Sequence, residues 1–436
     1  MQTAPDTLSR PGVRSVLFRH PIRASLLVAL ACLLGAAAWA GSRRLLNEHR
    51  FRAAQEAVAQ RDFVKAAAYL ATCVEAMPDS GKFRLLAAQT ARRSHHFDLA
   101  KEHLGDCQRL AYEPQTVELE WALLAAQTGR FAEHESFLRG LVEQDHPDAS
   151  LILEVLIDGY IQHFNMRSAL HCLDLYLERE PNNLQAWLGR GHVCERLFHW
   201  TGAVTAYRRA VDLVPEDYEA RLRLASALIV VGPANEAAAE FERVLLLRPR
   251  DPETLLGLLR CRRQQNRLEE ARRLLHELSS SRPDDGAVLL ERGRIALAGG
   301  DPKGAEAWLR KAVARSPYDR ETRYALYQCL QQQGQDREAR ESMAVFKRLD
   351  ADLKRIDLLT NQMQKTPYDP SLYHEAGVLC LRNGSEEEGV RWLHLALRYD
   401  AGHQPSHAAL ADFYEAAGKP ALAARHRQTA GAHGKK

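Results

Sequence analysis

Apolar residues recur at steps of three and four along most of the chain, which is the spacing of a helix face and not of a strand. In the stretch from Leu184 to Asp217, Trp187 and Gly191 mark one such face and Ala203, Tyr207 and Ala210 a second. The stretch therefore predicts a helix, a short turn and another helix. A small residue recurs on the second helix at Ala66, Ala100, Ala169, Ala203, Ala237, Ala271, Ala305, Ala339, Gly389 and Ala423, with a large one four residues on in most units, as at Leu70, Tyr207, Phe241 and Leu309. Two helix axes approach closely only where a side chain is nearly absent and a large neighbour fills the groove beside it. The first helix carries its own small column, Ala54, Ala88, Ala122, Gly191, Ala225, Gly293, Gly377 and Ala411. Ile157, Leu259 and Tyr327 break it, so packing there should be looser or shifted.

The polar punctuation keeps the same beat. Pro147, Pro181, Pro215, Pro249, Pro283 and Pro317 stand 34 residues apart. Two residues after most closing prolines of the array an N-cap candidate follows in Ser80, Asn183, Asp217, Asp251, Asp285, Asp319 and Asp369, each able to accept from the free N–H groups of the next helix. Gly129, Gly232, Gly300, Gly334, Gly384 and Gly418, with Asn266 in the same role, end first helices where a left-handed residue is needed.

A 34-residue period with this content resembles the tetratricopeptide repeat family. Units begin near Asn47, Gly81, Gln115, Ser150, Leu184, Tyr218, Pro252, Gly286, Arg320, Pro370 and Gln404, about eleven in all. The resemblance implies an all-α fold, an α-α superhelix of helix-turn-helix units, in which the first helices line an inner groove that binds a protein or peptide. Side chains expected there are Arg92, Arg93, His192, Arg196, Arg260, Arg263, Arg294, Gln328, Gln331 and Gln332. Such a groove is basic and polar and suits an acidic peptide, through charge-assisted bonds to arginine; the bland alternative is a row of solvated arginines. The Lys/Asn clamp by which some family members hold a terminal carboxylate is not matched, since the corresponding positions are Leu188, His192, Leu222 and Ser226.

Two segments depart from the repeat. Residues 1–23 form a basic leader, and 24–41 are uncharged throughout. Eighteen helical residues span about 27 Å, close to a bilayer core, so the favoured reading is one N-terminal transmembrane helix. A cleaved signal peptide at Ala38, Trp39 and Ala40 and a buried helix compete with it. Arginines on both sides of the run nearly cancel the orientation signal; an anchor behind a basic leader places the solenoid outside the cytoplasm. The array then fills 45–335. Asp336 to Thr366 holds neither Gly nor Pro, and its apolar residues run at steps of three and four. It predicts one amphipathic helix of about 30 residues and about 45 Å, which packs on the last repeats or, in a second reading, forms a partner or oligomer contact through its heptad-like seam. Two more units occupy 367–430 and a short tail 431–436. Arg425, His426 and Arg427 stand where a further neighbour would need apolar residues, as in a terminal cap.

Composition narrows function. Net charge is +3, with 46% hydrophobic and 26% charged residues, so no global field favours nucleic acid. None of the eight cysteines forms a C-x-x-C pair, which removes zinc knuckles and thioredoxin-like motifs; they read as small core residues, with a Cys73–Cys107 disulfide as the alternative. His403 and His407 have metal-ligand spacing but are separated by Pro405. No phosphate-binding loop, dinucleotide fingerprint, zinc-protease motif or nucleophile elbow is present. The expectation is a membrane-tethered, non-catalytic scaffold without cofactor or metal. The alternative is the repeat subunit of an envelope export, glycan-assembly or maintenance machine that recruits catalytic partners.

Overall fold

The computed structural model describes the backbone of residues 21–433 apart from 233 and 364, and side chains at 30, 34, 35 and 41–430 with the same exceptions. The chain divides into two compact units, residues 1–138 and 139–436, and the described residues are helical with turns between.

Helices begin where the caps and prolines place them. Gly81–Arg93, Leu184–Arg196, Tyr218–Val231, Pro252–Gln264, Gly286–Ala298, Arg320–Gln332, Pro370–Arg382 and Gln404–Ala416 are first helices of their pairs. Asn183, Asp217, Asp251, Asp285, Asp319 and Asp369 each accept an N–H from the first turn, at 2.7–3.1 Å. Ser80 makes no such bond, a correction to the cap pattern. Asp62, Asn165 and Asp301 cap second helices instead.

Each turn within a pair contains one left-handed residue in the same register: Arg61, His95, Gly129, Phe164, Phe198, Gly232, Asn266, Gly300, Gly334, Gly384 and Gly418. All seven turn residues expected from sequence have positive φ.

Packing follows the small-and-large columns. Ala66, Ala100, Ala169, Ala203, Ala237, Ala271 and Ala305 are fully buried. A Cβ on Gly191 would overlap the Tyr207 ring, and one on Gly293 the Leu309 side chain. Leu259, which breaks the first-helix column, is buried all the same, and two residues before it a Cβ on Gly257 would overlap the Phe241 ring of the preceding unit. The seven described cysteines are free and buried. Cys73 and Cys107 each point Sγ at a backbone carbonyl of the preceding helix, Asn47 O at 3.6 Å and Gly81 O at 3.7 Å, so the two thiols fill equivalent gaps and do not pair. Burial pushes the Cys107 and Cys261 thiols up to about 11.

In the unit 1–138, the first helix runs without a break from Pro21 to Ala59, and its C-terminal part packs Phe51 and Ala54 on Phe63–Ala76. The apolar run 24–41 lies on the first half of that helix, and most of its side chains fall outside the described residues, as do the leader 1–20, Cys32 and the end of the tail. Among the described residues no helix is long and apolar enough to cross a membrane.

In the unit 139–436, the long helix is Asp336–Met363, 28 residues. Leu349, Leu359 and Met363 are buried. Asp352 pairs with Arg382, and Arg355 donates to both oxygens of Glu375 at 2.6 and 2.7 Å. These contacts hold the helix to Pro370–Arg382, the first helix of the next pair. In the last pair Ala423 is the buried residue of Pro420–His433, and Arg427 pairs with Glu415, as a cap requires.

Candidate partner-binding cleft

The arginines singled out from sequence fall into two different settings. In the unit 1–138, Arg92 is buried; its Nε donates to Glu120 at 2.7 Å and its Nη1 to Gln127 at 3.1 Å, while Gln89 donates to the other Glu120 oxygen. The Arg93 guanidinium lies 4.9 Å from the Phe63 ring centroid.

The same device recurs in the unit 139–436. Arg263 Nε donates to Glu291 at 2.8 Å, the 28-residue spacing of Arg92 and Glu120. Arg260, 31 residues before Glu291 as Gln89 is before Glu120, brings Nε to 3.4 Å from the carboxylate without hydrogen-bond alignment. Arg294 donates to both Glu291 and Glu321 at 3.0 Å. Glu291 has no exposed surface. Burial alone would lower the Arg294 pKa; the two carboxylates outweigh it and hold the pKa above that of a free guanidinium. Three expected groove cations are therefore already engaged by carboxylates that join one first helix to the next. Gln328, Gln331 and Gln332 are exposed on Arg320–Gln332.

His192 and Arg196 stand elsewhere. His192 is exposed, with Nδ1 3.8 Å from Glu195. Arg196 ends Leu184–Arg196 and faces residues nearly two hundred positions away. Its Nη2 lies 3.5 Å from Glu388, and its guanidinium 5.1 Å from the Phe164 ring. Arg391 stands 5.0 Å from the same ring and 3.7 Å from Glu388. Phe164 is buried against Trp392, centroids 3.7 Å apart, and Arg167 donates to Asn361 at 3.3 Å. The helices Asp336–Met363 and Glu386–Tyr399 thus return to the turns that follow Ala149–Gln162 and Leu184–Arg196. The extra turns of the long helix make this return as well as packing on the last repeats.

Two cavities flank the junction. One, of about 460 Å³, is lined by Arg196, Arg391, Arg398, His192 and His394 over an apolar floor of Phe164 and Leu395. The other, of about 580 Å³, is lined by Phe198 and Leu353 together with Arg167, Lys354 and Asp357. Phe164, Met166 and Arg196 belong to both, so they form the wall between two halves of one cleft. Among the described residues no group of three metal-ligating side chains converges. His403 accepts or donates locally to Ser406 at 2.8 Å, and His407 Nδ1 meets His426 Nδ1 at 2.8 Å.

Family models described as tetratricopeptide repeat match residues 184–227, 232–275 and 262–320. The chain carries tetratricopeptide repeats within residues 184–320. Among curated proteins, the repeat protein is 31% identical over 114 residues to cellulose synthase operon protein C of Pseudomonas fluorescens (strain SBW25); the match covers 24% of this chain and spans only 9% of that protein's length. Solved structures similar to it include human IFIT1 bound to m7Gppp-AAAA, at 16% identity and TM-score 0.37, covering 82% of this chain and 91% of that one. PilW, a type IV pilus biogenesis factor, matches at 19% identity and TM-score 0.37, covering 47% and 92%. MamA of Desulfovibrio magneticus RS-1 matches at 17% identity and TM-score 0.32, covering 38% and 95%. At these scores none of the three bears on what the repeat protein binds.

Of the side chains expected at a groove from sequence, His192 and Arg196 line the smaller cavity; Arg391, Arg398, His394, Phe198 and Leu353, which also line the two cavities, were not among them. One local signal for the cleft was available. At the left-handed turn position, where six repeats have glycine, two consecutive repeats have phenylalanine, Phe164 with φ 56° and Phe198 with φ 54°. A bulky residue in that conformation costs on the order of 1–3 kcal/mol and is retained where surroundings or function demand it.

Proposed function

We propose that this protein is a non-catalytic scaffold that docks a protein or peptide segment in the cleft between residues 162–198 and 350–398, and that residues 24–41 tether it to a membrane with the repeats outside the cytoplasm. The observation that carries the docking reading is the cleft itself: two adjoining cavities, one walled by cations and the other carrying exposed apolar side chains, between the turns that follow Ala149–Gln162 and Leu184–Arg196 and the second helices Asp336–Met363 and Glu386–Tyr399. Arg92, Arg260, Arg263 and Arg294 serve the architecture in this reading. Arg196 and His192 serve the partner, and Gln328, Gln331 and Gln332 extend the polar surface.

Affinity capture with cross-linking from detergent-solubilised membranes tests the scaffold. One or a few dedicated partners, cross-linked within the unit 139–436, is the expected result; recovery of the protein alone at every cross-linker length would sink it. For the tether, the full chain is expected to sediment with membranes and resist carbonate extraction, and a chain lacking residues 1–44 to be soluble and helical. A soluble mature chain starting at Gly41 would show cleavage instead.

The short likeness to a protein named cellulose synthase operon protein C favours a second reading, an accessory subunit of an envelope glycan-assembly machine. Capture of a glycan-synthesising enzyme as the partner is the outcome that selects it.

A further inference from the structure

We infer that the groove on the first repeat, between Phe63–Ala76 and Phe97–Arg109, takes an acyl chain of a membrane phospholipid. This rests on the tether reading above and adds a lipid contact to it.

The lining is the first ground. The groove lies within the unit 1–138 and encloses about 430 Å³, in the range of small-ligand sites. Phe63–Ala76 contributes Val64, Ala67 and Ala71, Gly81–Arg93 contributes Ala87 and Ala91, and Phe97–Arg109 contributes Leu99. Among the described residues no carboxylate, ammonium or guanidinium group lines it. Its four polar residues are engaged inside the chain. Thr90 Oγ1 donates to Leu86 O at 2.7 Å, and Ser94 Oγ to Thr90 O at 2.8 Å. His96 Nδ1 lies 3.1 Å from Ser94 Oγ, and His103 Nδ1 lies 3.3 Å from Arg84 Nη1. Burial, with Arg84 beside it, lowers the His103 pKa, so the ring is neutral near pH 7. A polar ligand would leave its own groups poorly bonded there, and an apolar one has none to leave.

The second ground is that this lining is peculiar to the first repeat. Val64, Ala67 and Ala71 stand two before, one after and five after the buried Ala66. The same offsets from Ala271 and Ala305 give Glu269, Arg272 and His276, then Lys303, Glu306 and Arg310. Every later pair has a polar or charged residue at one or more of the three positions. Packing of the array therefore does not require apolar residues there. Val64 is 85% exposed and Leu99 45%, and Ala67 and Ala71 are exposed too. Apolar surface gathered in this way marks a site of interaction.

Position chooses the occupant. Phe63–Ala76 runs back along the first helix, and Cys73 Sγ lies 3.6 Å from Asn47 O. Val74, which also lines the groove, is thus near the level of Asn47, six residues beyond Gly41. Six helical residues rise about 9 Å, and the headgroup layer outside a bilayer core is about 5–8 Å thick on each side. With 24–41 in the core, this end of the groove opens at the lipid surface. An acyl chain turned out of the bilayer into the groove exchanges one apolar surrounding for another.

The test places the full chain in nanodiscs of phosphatidylglycerol and phosphatidylethanolamine. A phospholipid with a diazirine near the end of one acyl chain is added, and its photo-adducts are mapped by peptide mass spectrometry. Adducts are expected within 63–74 and 96–103 as well as within 24–41. Ala67→Lys with Ala71→Arg gives this repeat residues that others carry at the same positions, as at Lys101 and Arg208, so the melting temperature should hold. Groove adducts should fall by about tenfold, because the charges enter an apolar lining, while those at 24–41 persist. Ala71→Arg alone should lower them in part if the double variant fails to fold. Equal groove labelling in parent and variants overturns the inference. Adducts confined to 24–41 also overturn it and leave the tether standing. A partner protein cross-linked to 63–74 in native membranes, with no lipid adduct there, overturns it in favour of a docked apolar helix. A chain that does not insert into the nanodisc removes the tether reading and the lipid inference with it.

Discussion

Two arginine clusters lie in the same unit and behave differently. Around Glu291 the cations are matched inside the chain, and the ion pairs tie Pro252–Gln264 to Gly286–Ala298 and Arg320–Gln332. At the cleft, Arg196 and Arg391 share Glu388 at longer distances and higher exposure. Arginine on a first helix is thus not by itself a binding signal; what decides is whether a carboxylate lies in register on the next helix. Removing the carboxylate from each cluster should break the symmetry. Glu291→Ala leaves three guanidinium groups around an empty site and is expected to cost about 3–5 kcal/mol. Glu388→Ala, at a partly exposed pair, should cost under about 1 kcal/mol. Urea melts of the two variants with a common baseline measure both, and equal losses would erase the distinction.

A smaller effect is expected from disturbing the frame of the Glu291 cluster without touching a charge. A Cβ on Gly257 would overlap the Phe241 ring, one turn before Arg260. Gly257→Ala should therefore overpack the helix contact and cost about 1–3 kcal/mol; superposed melts of variant and parent would show that the ring simply swings aside.

The smallest contrast is with pH. Burial lowers the pKa of His394, which lines the cleft, and of His374 and His426, with further lowering by His407 at His394 and His426 and by His403 at His374. A histidine whose folded pKa lies below its unfolded value of 6.5 binds fewer protons folded than unfolded. Its contribution is present above that value and is lost as pH falls below it toward the folded pKa. Amide exchange in Glu386–Tyr399 and Pro420–His433 should therefore quicken several-fold between about pH 7.5 and about pH 5.5, measured against intrinsic rates. Gly286–Ala298, held by Glu291, should stay put; a parallel rise there would mean that acid acts on the whole unit.

Much of the fold was legible because a repeat writes each feature many times. The prolines, the Asx caps and Gly232, Gly300 or Gly334 say the same thing in successive units, and a single failure such as Ser80 does not obscure the period. The Glu291 cluster was legible too, in the 28-residue spacing that Arg92–Glu120 and Arg263–Glu291 share, but only to a reading that seeks carboxylates along with cations. The division near residue 138 falls in the least regular unit, where His134 replaces the small residue and the proline spacing lengthens to Pro114. The cleft was not legible as a contact. Phe164 and Trp392 meet once, 228 residues apart, and a contact made once has no period to read.

The return of Glu386–Tyr399 to Phe164 also changes how the molecule comes apart. An open repeat array behaves as a row of neighbours, and its ends fray without consequence for its middle. Closing the row with one aromatic contact and one shared carboxylate links the fate of the last repeats to that of the fourth and fifth. The entropy of closing so long a loop grows only with the logarithm of its length, about 0.6 kcal/mol per doubling, so a modest contact is enough to hold it. Loss of the C-terminal pairs would uncover Phe164 at its strained turn, and unfolding would enter the array from the interior as well as from the end.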